Sequence, residues 1–557
     1  MANLKKTDKW TFPMTLVVAV IGATLLGGMY GDRLFGSPIP TDLQKRLREY
    51  TEVLNAAAYW SPEEATPDKF VYSSIEGMLR TLDPHSSFLE PRDYSEMQDR
   101  QKGTFYGLGI LVTKRNDQVT VITPLEGTPA ARLGVRAGDI ISEVEGVSTD
   151  ELPLDEVVKR LKGPKGSTVH VKIMRVGIKE PIPLTIVRAA IPTNSISNVL
   201  MVRSDVGYIR IKDFTQTTVR ELDDALGKLE KQGMKKLVLD MRANPGGLLD
   251  AAVGVSDHFV EKGDMIVYTK GRTPDSMMEY LAPGKQQKRT LPLVVLINRG
   301  SASASEIVAG AIQDHDRGIV LGETSWGKGL VQSVYTLQYG AGLALTTSKY
   351  YTPAGRNIQR DYSSFYDYYV ADDSSIETAE VPLKERATFK TATGRTVYGG
   401  GGITPDVFMK PAELSRVTQL LEVRSAIFGY AVQYASEHPE LTKDVVVSSA
   451  MISSFIDYAV AKEISTQAEI REALARPVDR NHIERSLKSE IIAAKYGFDA
   501  SYPHRLEGDP QVARAIELFP EAEKLAVLAS ETRTRLAQSR DAKSDERKAA
   551  AAKPRSN

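Results

Sequence analysis

The chain has 557 residues, enough for roughly three to four domains with sizeable cores, which excludes a peptide hormone or a lone small module. Hydrophobic residues make up 42% and charged residues 25%, a balance that excludes a mainly disordered or polytopic membrane chain. Lys plus Arg and Asp plus Glu number 71 each, so the net charge gives no support for a nucleic-acid partner, and the lack of any cysteine removes disulfides, thiolate zinc sites and cysteine nucleophiles.

Lys5, Lys6 and Lys9 precede an uncharged run from Trp10 to Gly31, long enough to span a bilayer, which takes about 20 residues. The basic flank stays in the cytoplasm by the positive-inside rule, so residues 1–32 read as a cytoplasmic stub and signal-anchor helix. The chain beyond residue 32 is then single-pass anchored in the inner membrane and faces the periplasm or the cell exterior. A cleaved signal peptide is the rival reading; Gly27-Gly28-Met29-Tyr30-Gly31 offers no convincing small-residue cleavage pair, which favours an uncleaved anchor.

From residue 40 to 100 the apolar positions recur at helical spacing: Leu43, Leu47, Tyr50, Val53 and Leu54, then Ile75, Met78, Leu79 and Leu82. Residues 101–190 change to short β runs broken by Gly and Pro, among them Val119-Thr120-Val121-Ile122 and Val169-His170-Val171-Lys172-Ile173. Over residues 191–410 strands alternate with helices, which implies an α/β sheet layered with helices. Tyr362 to Tyr369 forms an aromatic-rich connection. Residues 411–529 read as a helical extension that pairs subunits, binds an adaptor or lengthens the core. Residues 530–557, dominated by Arg, Lys, Asp, Glu, Ala and Ser, are expected to be a disordered charged tail.

Three constellations carry candidate chemistry. In Asn298-Arg299-Gly300-Ser301-Ala302-Ser303-Ala304-Ser305-Glu306, between a strand and a helix, a serine oxygen lies near N-terminal amides that favour developing negative charge. Ser303 and Glu306 also spell a capping box, and on these residues alone capping is the preferred reading. Gly322-Glu323-Thr324-Ser325-Trp326-Gly327-Lys328-Gly329 nearly spells a phosphate-binding loop, but Gly329 stands where Ser or Thr must hold magnesium. Lys328 is therefore either a solvated loop lysine or, if buried, a neutral base. Asp240-Met241-Arg242-Ala243-Asn244-Pro245-Gly246-Gly247 is a tight turn at a strand end whose backbone amides can face an oxyanion. None of the 7 histidines has metal-site spacing.

Together these pieces resemble the carboxyl-terminal processing (tail-specific) peptidases, Ser/Lys proteases with an inserted PDZ domain, over roughly Pro40 to Lys410. The resemblance is strongest from Val294 to Gln332. It implies that Ser303 is the nucleophile, Lys328 the base and Gln332 the residue that orients the lysine. One oxyanion amide falls on Gly246, with Gly247 as the alternative, and the other on Ala304. Phe105-Tyr106-Gly107-Leu108-Gly109-Ile110 is similar to the family's carboxylate-binding loop, so Tyr106, Gly107, Leu108, Gly109 and Ile110 are expected to hold a terminal carboxylate while the adjacent strand edge pairs with the peptide. Leu82-Asp83-Pro84-His85-Ser86-Ser87-Phe88-Leu89 is similar to the family's cap element. The resemblance implies an α/β protease core with an inserted PDZ domain, acting on proteins with exposed apolar C-termini and needing no metal, nucleotide or other cofactor. A catalytically silent or peptide-gated PDZ scaffold is the alternative.

Overall fold

The computed structural model describes residues 41–62, 66–363, 368 and 385–551; the expected anchor at 1–32 and most of the aromatic connection lie outside them. Among the described residues no helix is long and apolar enough to cross a membrane. The chain divides into two compact units, Met1–Leu82 and Asp83–Asn557. The first contains the helices Thr41–Trp60 and Pro67–Arg80. Thr66 caps the second of these by accepting the Lys69 N–H at 3.4 Å, and Pro67 stands in its first turn, where the missing N–H is not needed. The expected 40–100 segment is thus split: its last helix, Pro91–Gln101, belongs to the second unit.

In the second unit the β-rich module is an insertion with a visible stem. Strands Thr104–Gly107 and Ala189–Pro192 pair antiparallel, placing Phe105 opposite Ile191 where the chain enters and leaves the module. Inside it, Ile110–Arg115, Gln118–Pro124, Ile140–Val144, Thr168–Met174 and Ile182–Val187 form an antiparallel sheet in that order. Along Thr168–Met174 burial alternates, with Val169, Val171 and Ile173 inside, as a sheet with one face covered requires. Among the described residues Ile110–Arg115 is an edge strand, paired on one side only.

The α/β core is built on a six-stranded sheet ordered Ile196–Arg203, Val206–Ile211, Lys236–Asp240, Leu293–Ile297, Ile319–Gly322 and Val407–Phe408. The first pair is antiparallel and the rest are parallel. Every residue of Leu293–Ile297 is buried, because both faces of the sheet are covered. Leu222, Leu226 and Leu229 of helix Thr218–Lys231, Val255 of Leu249–Ser256, and Ile307, Val308 and Ile312 of Ala304–Asp314 cover one face. The other is covered by Tyr502, Leu506, Val512, Ala515, Leu518, Phe519 and Ala522, which pack on Tyr208, Val238, Val294, Leu296 and Leu321. A boundary at residue 410 therefore cuts through a layer of the core. The last helices of the extension complete the α/β sandwich, while residues between Leu421 and Ile492 have their own apolar cluster. Helical periodicity shows that a segment has an apolar face, but not which sheet that face meets.

A second sheet, antiparallel, joins Ser87–Leu89, Gly342–Tyr351, Met265–Gly271 and Glu279–Leu281, with Leu330–Thr336 also paired to Gly342–Tyr351. Over residues 530–551 the structure shows helix Phe519–Ala551 where disorder was expected; the rest of the expected tail lies outside the described residues. Ala, Glu, Lys and Arg are strong helix formers, and Arg533 ties the helix to Glu261 at 3.2 Å and Asp264 at 2.8 Å.

Leu518 is fully buried in the second layer. Leu518→Ala is expected to cost about 2–5 kcal/mol of stability, read by chemical denaturation. A loss below about 1 kcal/mol would show that this layer does not support the sheet.

Candidate active site

Three loops leave the carboxyl ends of the adjacent parallel strands Lys236–Asp240, Leu293–Ile297 and Ile319–Gly322, the end at which open α/β sheets bind ligands. The first loop is held by Asn244. Its amide donates to the Ile211 carbonyl at 2.9 Å, and its own carbonyl accepts the Ala302 N–H at 2.9 Å and the Ser305 hydroxyl at 3.0 Å. Behind the turn, fully buried Asp240 pairs with Arg242 at 2.6 Å.

Ser303 precedes helix Ala304–Asp314 with φ 55° and ψ −113°, a conformation that costs a non-glycine residue about 1–3 kcal/mol and clusters at functional sites. Ser303 and Glu306 stand in capping-box positions, and the Glu306 half is well formed: the Ser303 N–H donates to Glu306 Oε2 at 2.7 Å. The Ser303 half is loose. The Glu306 N–H donates to the Ser303 carbonyl at 2.8 Å, and the Ser303 side chain makes no capping hydrogen bond. The hydroxyl is thus left for other chemistry.

Glu306 does far more than cap. Fully buried, it also accepts the Ser325 hydroxyl at 2.5 Å, the Gly327 N–H at 2.7 Å and the Lys328 N–H at 2.9 Å. The Ser303 and Lys328 amides share its Oε2. Burial raises the Glu306 carboxyl above the usual carboxylate range, outweighing the lowering by its four donors. Lys328 itself is half-buried. Burial pushes its ammonium below the ordinary lysine range, against the raising charges of Glu306 and Asp83. The near-phosphate loop thus serves to bring a lysine to the serine-bearing helix.

Two expected contacts differ. Gln332 does not bond Lys328: its amide donates to Thr346 Oγ1 at 3.2 Å, directly across the strand pair. Thr346 in turn donates to Asp83 at 3.0 Å. Gly246 lies against the serine, where an added Cβ would stand 2.8 Å from Ser303 Cβ and 2.9 Å from the Ala304 nitrogen, but its own N–H already donates to Asn244 Oδ1 at 2.9 Å. The amide of Gly247, at φ 146°, carries no such commitment among the described residues. Ala304 is the first residue of its helix, so its N–H has no intrahelical partner.

Sequence pattern alone assigns no role to Asp83 or His85. Asp83 accepts the His85 N–H at 2.8 Å, the Ser86 N–H at 2.9 Å and the Ser86 hydroxyl at 2.6 Å. His85 Nε2 and the Tyr368 hydroxyl are 2.7 Å apart, and Trp326 Nε1 donates to that hydroxyl at 3.3 Å. Burial, helped by Lys328, lowers the His85 imidazole to about 4.

A cleft of about 1370 Å³ opens between the β module, helix Pro91–Gln101 and the core residues Lys212 and Asp213, lined on the module side by all five expected loop residues, Tyr106 to Ile110, and by Val158 and Leu161 of helix Leu154–Leu161. The open edge of Ile110–Arg115 borders it. Gly109 has φ 77°, and a Cβ there would meet Thr128 at 2.2 Å; the Thr128 hydroxyl bridges the Gly109 and Leu125 carbonyls at 3.0 and 2.6 Å.

Comparison with known proteins places two family models on the chain. The family model Peptidase family S41 matches residues 205–364, and PDZ domain matches residues 97–174. A carboxy-terminal-processing protease of Bartonella bacilliformis is 43% identical over 295 residues, 52% of this chain and 67% of that protein. A carboxyl-terminal-processing protease of Synechocystis is 38% identical over 295 residues, 52% of this chain and 68% of that protein. The carboxy-terminal processing protease CtpA of Bacillus subtilis is 33% identical over 299 residues, 54% of this chain and 63% of that protein. A PDZ module on a stem, inserted before an α/β core of this type, makes the chain a member of the carboxy-terminal processing proteases of peptidase family S41.

Proposed function

We propose that the chain is an extracytoplasmic serine endopeptidase that recognises exposed protein C-termini and hydrolyses peptide bonds with Ser303 and Lys328. The observation that carries this reading is the sharing of one buried carboxylate oxygen by the Ser303 and Lys328 amides. Neutral Lys328 takes the Ser303 hydroxyl proton as the oxygen attacks the peptide carbonyl. The amide of Ala304 and an amide of the Gly246-Gly247 pair hold the oxyanion. The lysine then protonates the departing amine, leaving an acyl-enzyme. Water, giving a proton to the same lysine, attacks the acyl carbon, and as the bond to Ser303 Oγ breaks the lysine returns that proton to the serine oxygen, releasing the product acid. The anchor at 1–32 would hold the enzyme on the outer side of the inner membrane, and the loop Tyr106 to Ile110 would hold the substrate's terminal carboxylate with its apolar side chain in the cleft.

A second reading has a specific observation behind it. Among the described residues Ser303 Oγ and Lys328 Nζ share no hydrogen bond, so the dyad awaits a closing step biased by peptide; catalytic hydrogen bonds are often long before substrate binds.

With an unfolded protein ending in apolar residues as substrate, Ser303→Ala and Lys328→Ala are each expected to lower kcat/KM at least ~1,000-fold. A Lys328→Ala enzyme with parental activity sinks the base assignment. A base must be unprotonated, and burial lowers the pH at which Lys328 becomes so; activity should therefore rise with pH along a limb centred below the ordinary lysine value of 10.5.

Gly109→Ala places a side chain at positive φ against Thr128. It is expected to raise KM about 10-fold or more for substrates with a free C-terminus, while Ser303 keeps parental reactivity towards a fluorophosphonate. Unchanged KM would remove the carboxylate loop assignment.

A further inference from the structure

The turn that begins the second unit, Asp83 to Ser86, reaches the lysine from two directions. From Asp83, a chain of hydrogen bonds runs through Thr346 Oγ1 to Gln332, on the strand Leu330–Thr336 that directly follows Gly329. From His85, a second runs through the Tyr368 hydroxyl to Trp326, two residues before Lys328. The turn is fixed independently of the lysine, since Asp83 binds the His85 and Ser86 amides and the Ser86 hydroxyl, and that hydroxyl accepts the Thr346 N–H at 3.0 Å. The lysine side chain between these two supports has no hydrogen bond or ion pair of its own among the described residues.

We propose that Asp83 is a positioning residue of the reaction, holding Gln332, and through it the lysine's strand, by way of Thr346, and adding to Glu306 a second fixed counter-charge for the Lys328 ammonium that forms when Ser303 gives up its proton. This rests on the Ser303 and Lys328 reading above. Of the groups around Lys328, Glu306 favours its ammonium most and Asp83 next. Glu306, on the serine's helix, spends its two oxygens on four donors from the two loops. His85 is neutral above about 4. Tyr350, whose hydroxyl donates to the Ser303 carbonyl at 3.1 Å, and Tyr368 are both pushed up by burial and stay neutral. Asp83, held low by its hydrogen-bond donors against burial, remains a carboxylate whose charge reaches Lys328.

Asp83 raises the affinity of Lys328 for a proton, so removing its charge makes the lysine neutral at lower pH and at the same time a weaker base. In the full chain, Asp83→Asn is expected to move the acid limb of kcat/KM down by about 0.5 pH unit or more, with the plateau kcat falling about 10-fold; Asp83→Glu should return the limb towards the parent. A direct reading uses the Ser303→Ala chain, competitively acetylated across pH with acetic anhydride and analysed by mass spectrometry at Lys328: Asp83→Asn should lower the labelling midpoint. A folded Asp83→Asn chain with the parent's limb and labelling midpoint overturns the inference. Should Asp83→Asn fail to fold, the near-isosteric Thr346→Val keeps the charge and cuts only the link to Gln332; it is expected to lower kcat about 5-fold with KM and limb unmoved, and a parental kcat overturns the inference. Lys328→Ala run in parallel separates the two levels. If it is active, the base assignment and the inference fall together; if it is silent while Asp83→Asn leaves the limb in place, only the inference falls.

Discussion

Glu306 is the point on which the site depends. A carboxylate taken out of water costs several kcal/mol unless it is fully hydrogen-bonded, and each charge-assisted bond returns about 1.5–3 kcal/mol. Four donors to its side chain come from the two loops that carry Ser303 and Lys328. The loops therefore cannot separate without orphaning a buried charge. The same clamp offsets the strained backbone of Ser303, because the Ser303 N–H that it holds belongs to the residue at positive φ. The fold itself thus holds the two loops together.

The clamp works only if the strands beneath it are fixed, and that is the work of the C-terminal helices. Arg242, two residues beyond the end of its strand, pairs with Asp240 and also reaches Asp509 at 3.0 Å and Gln511 at 2.9 Å. Gln511 continues to the Met409 carbonyl at 2.9 Å. On the same face the Tyr208 hydroxyl donates to Asp240 at 2.6 Å and stands 3.0 Å from the Tyr502 hydroxyl, which Arg210 also reaches at 2.9 Å. The apolar side of this layer covers the sheet, and its polar side braces the turn that packs Gly246 against Ser303.

How much of this could be read from the sequence depends on the range of the interactions involved. The β module, the strand and helix alternation and the three loops were legible because period-2 burial, helical spacing and Gly-rich turns are local signals. Ser303, Lys328 and the loop Tyr106 to Ile110 were singled out by motif resemblance; the structure puts the first two on loops that leave adjacent strand ends and the third beside the edge strand. Long-range partners were not legible. The S-x-x-E spacing pointed to Glu306 as a cap, yet its bonds to Gly327 and Lys328 depend on a neighbouring strand. Gln332 was expected on the lysine and instead bonds its cross-strand neighbour Thr346, a pairing set by register that no local pattern encodes. The Gly246 amide was lost to a side chain two residues away, because Asn244 serves both as turn former and as acceptor. Asp83 and His85 carried no local signal of chemistry, since their partners lie on distant strands and loops.

The topology also bears on how the cleft and the reacting groups communicate. Helix Pro91–Gln101 contributes Arg92, Glu96, Met97 and Arg100 to the cleft wall. It comes directly after the strand Ser87–Leu89 that continues from Asp83 and His85. Midway along it, the Tyr94 hydroxyl lies 2.6 Å from Thr336 Oγ1, at the far end of the strand that starts two residues after Lys328. One short helix is thus tied to the peptide cleft, to the turn beside the lysine and to the lysine's own strand. Packed elements shift as bodies and do not deform continuously, so a ligand that displaces this helix cannot leave the other two attachments unmoved. Inserting the β module immediately after this helix, on a two-stranded stem, puts the cleft in mechanical series with the loop that carries Lys328.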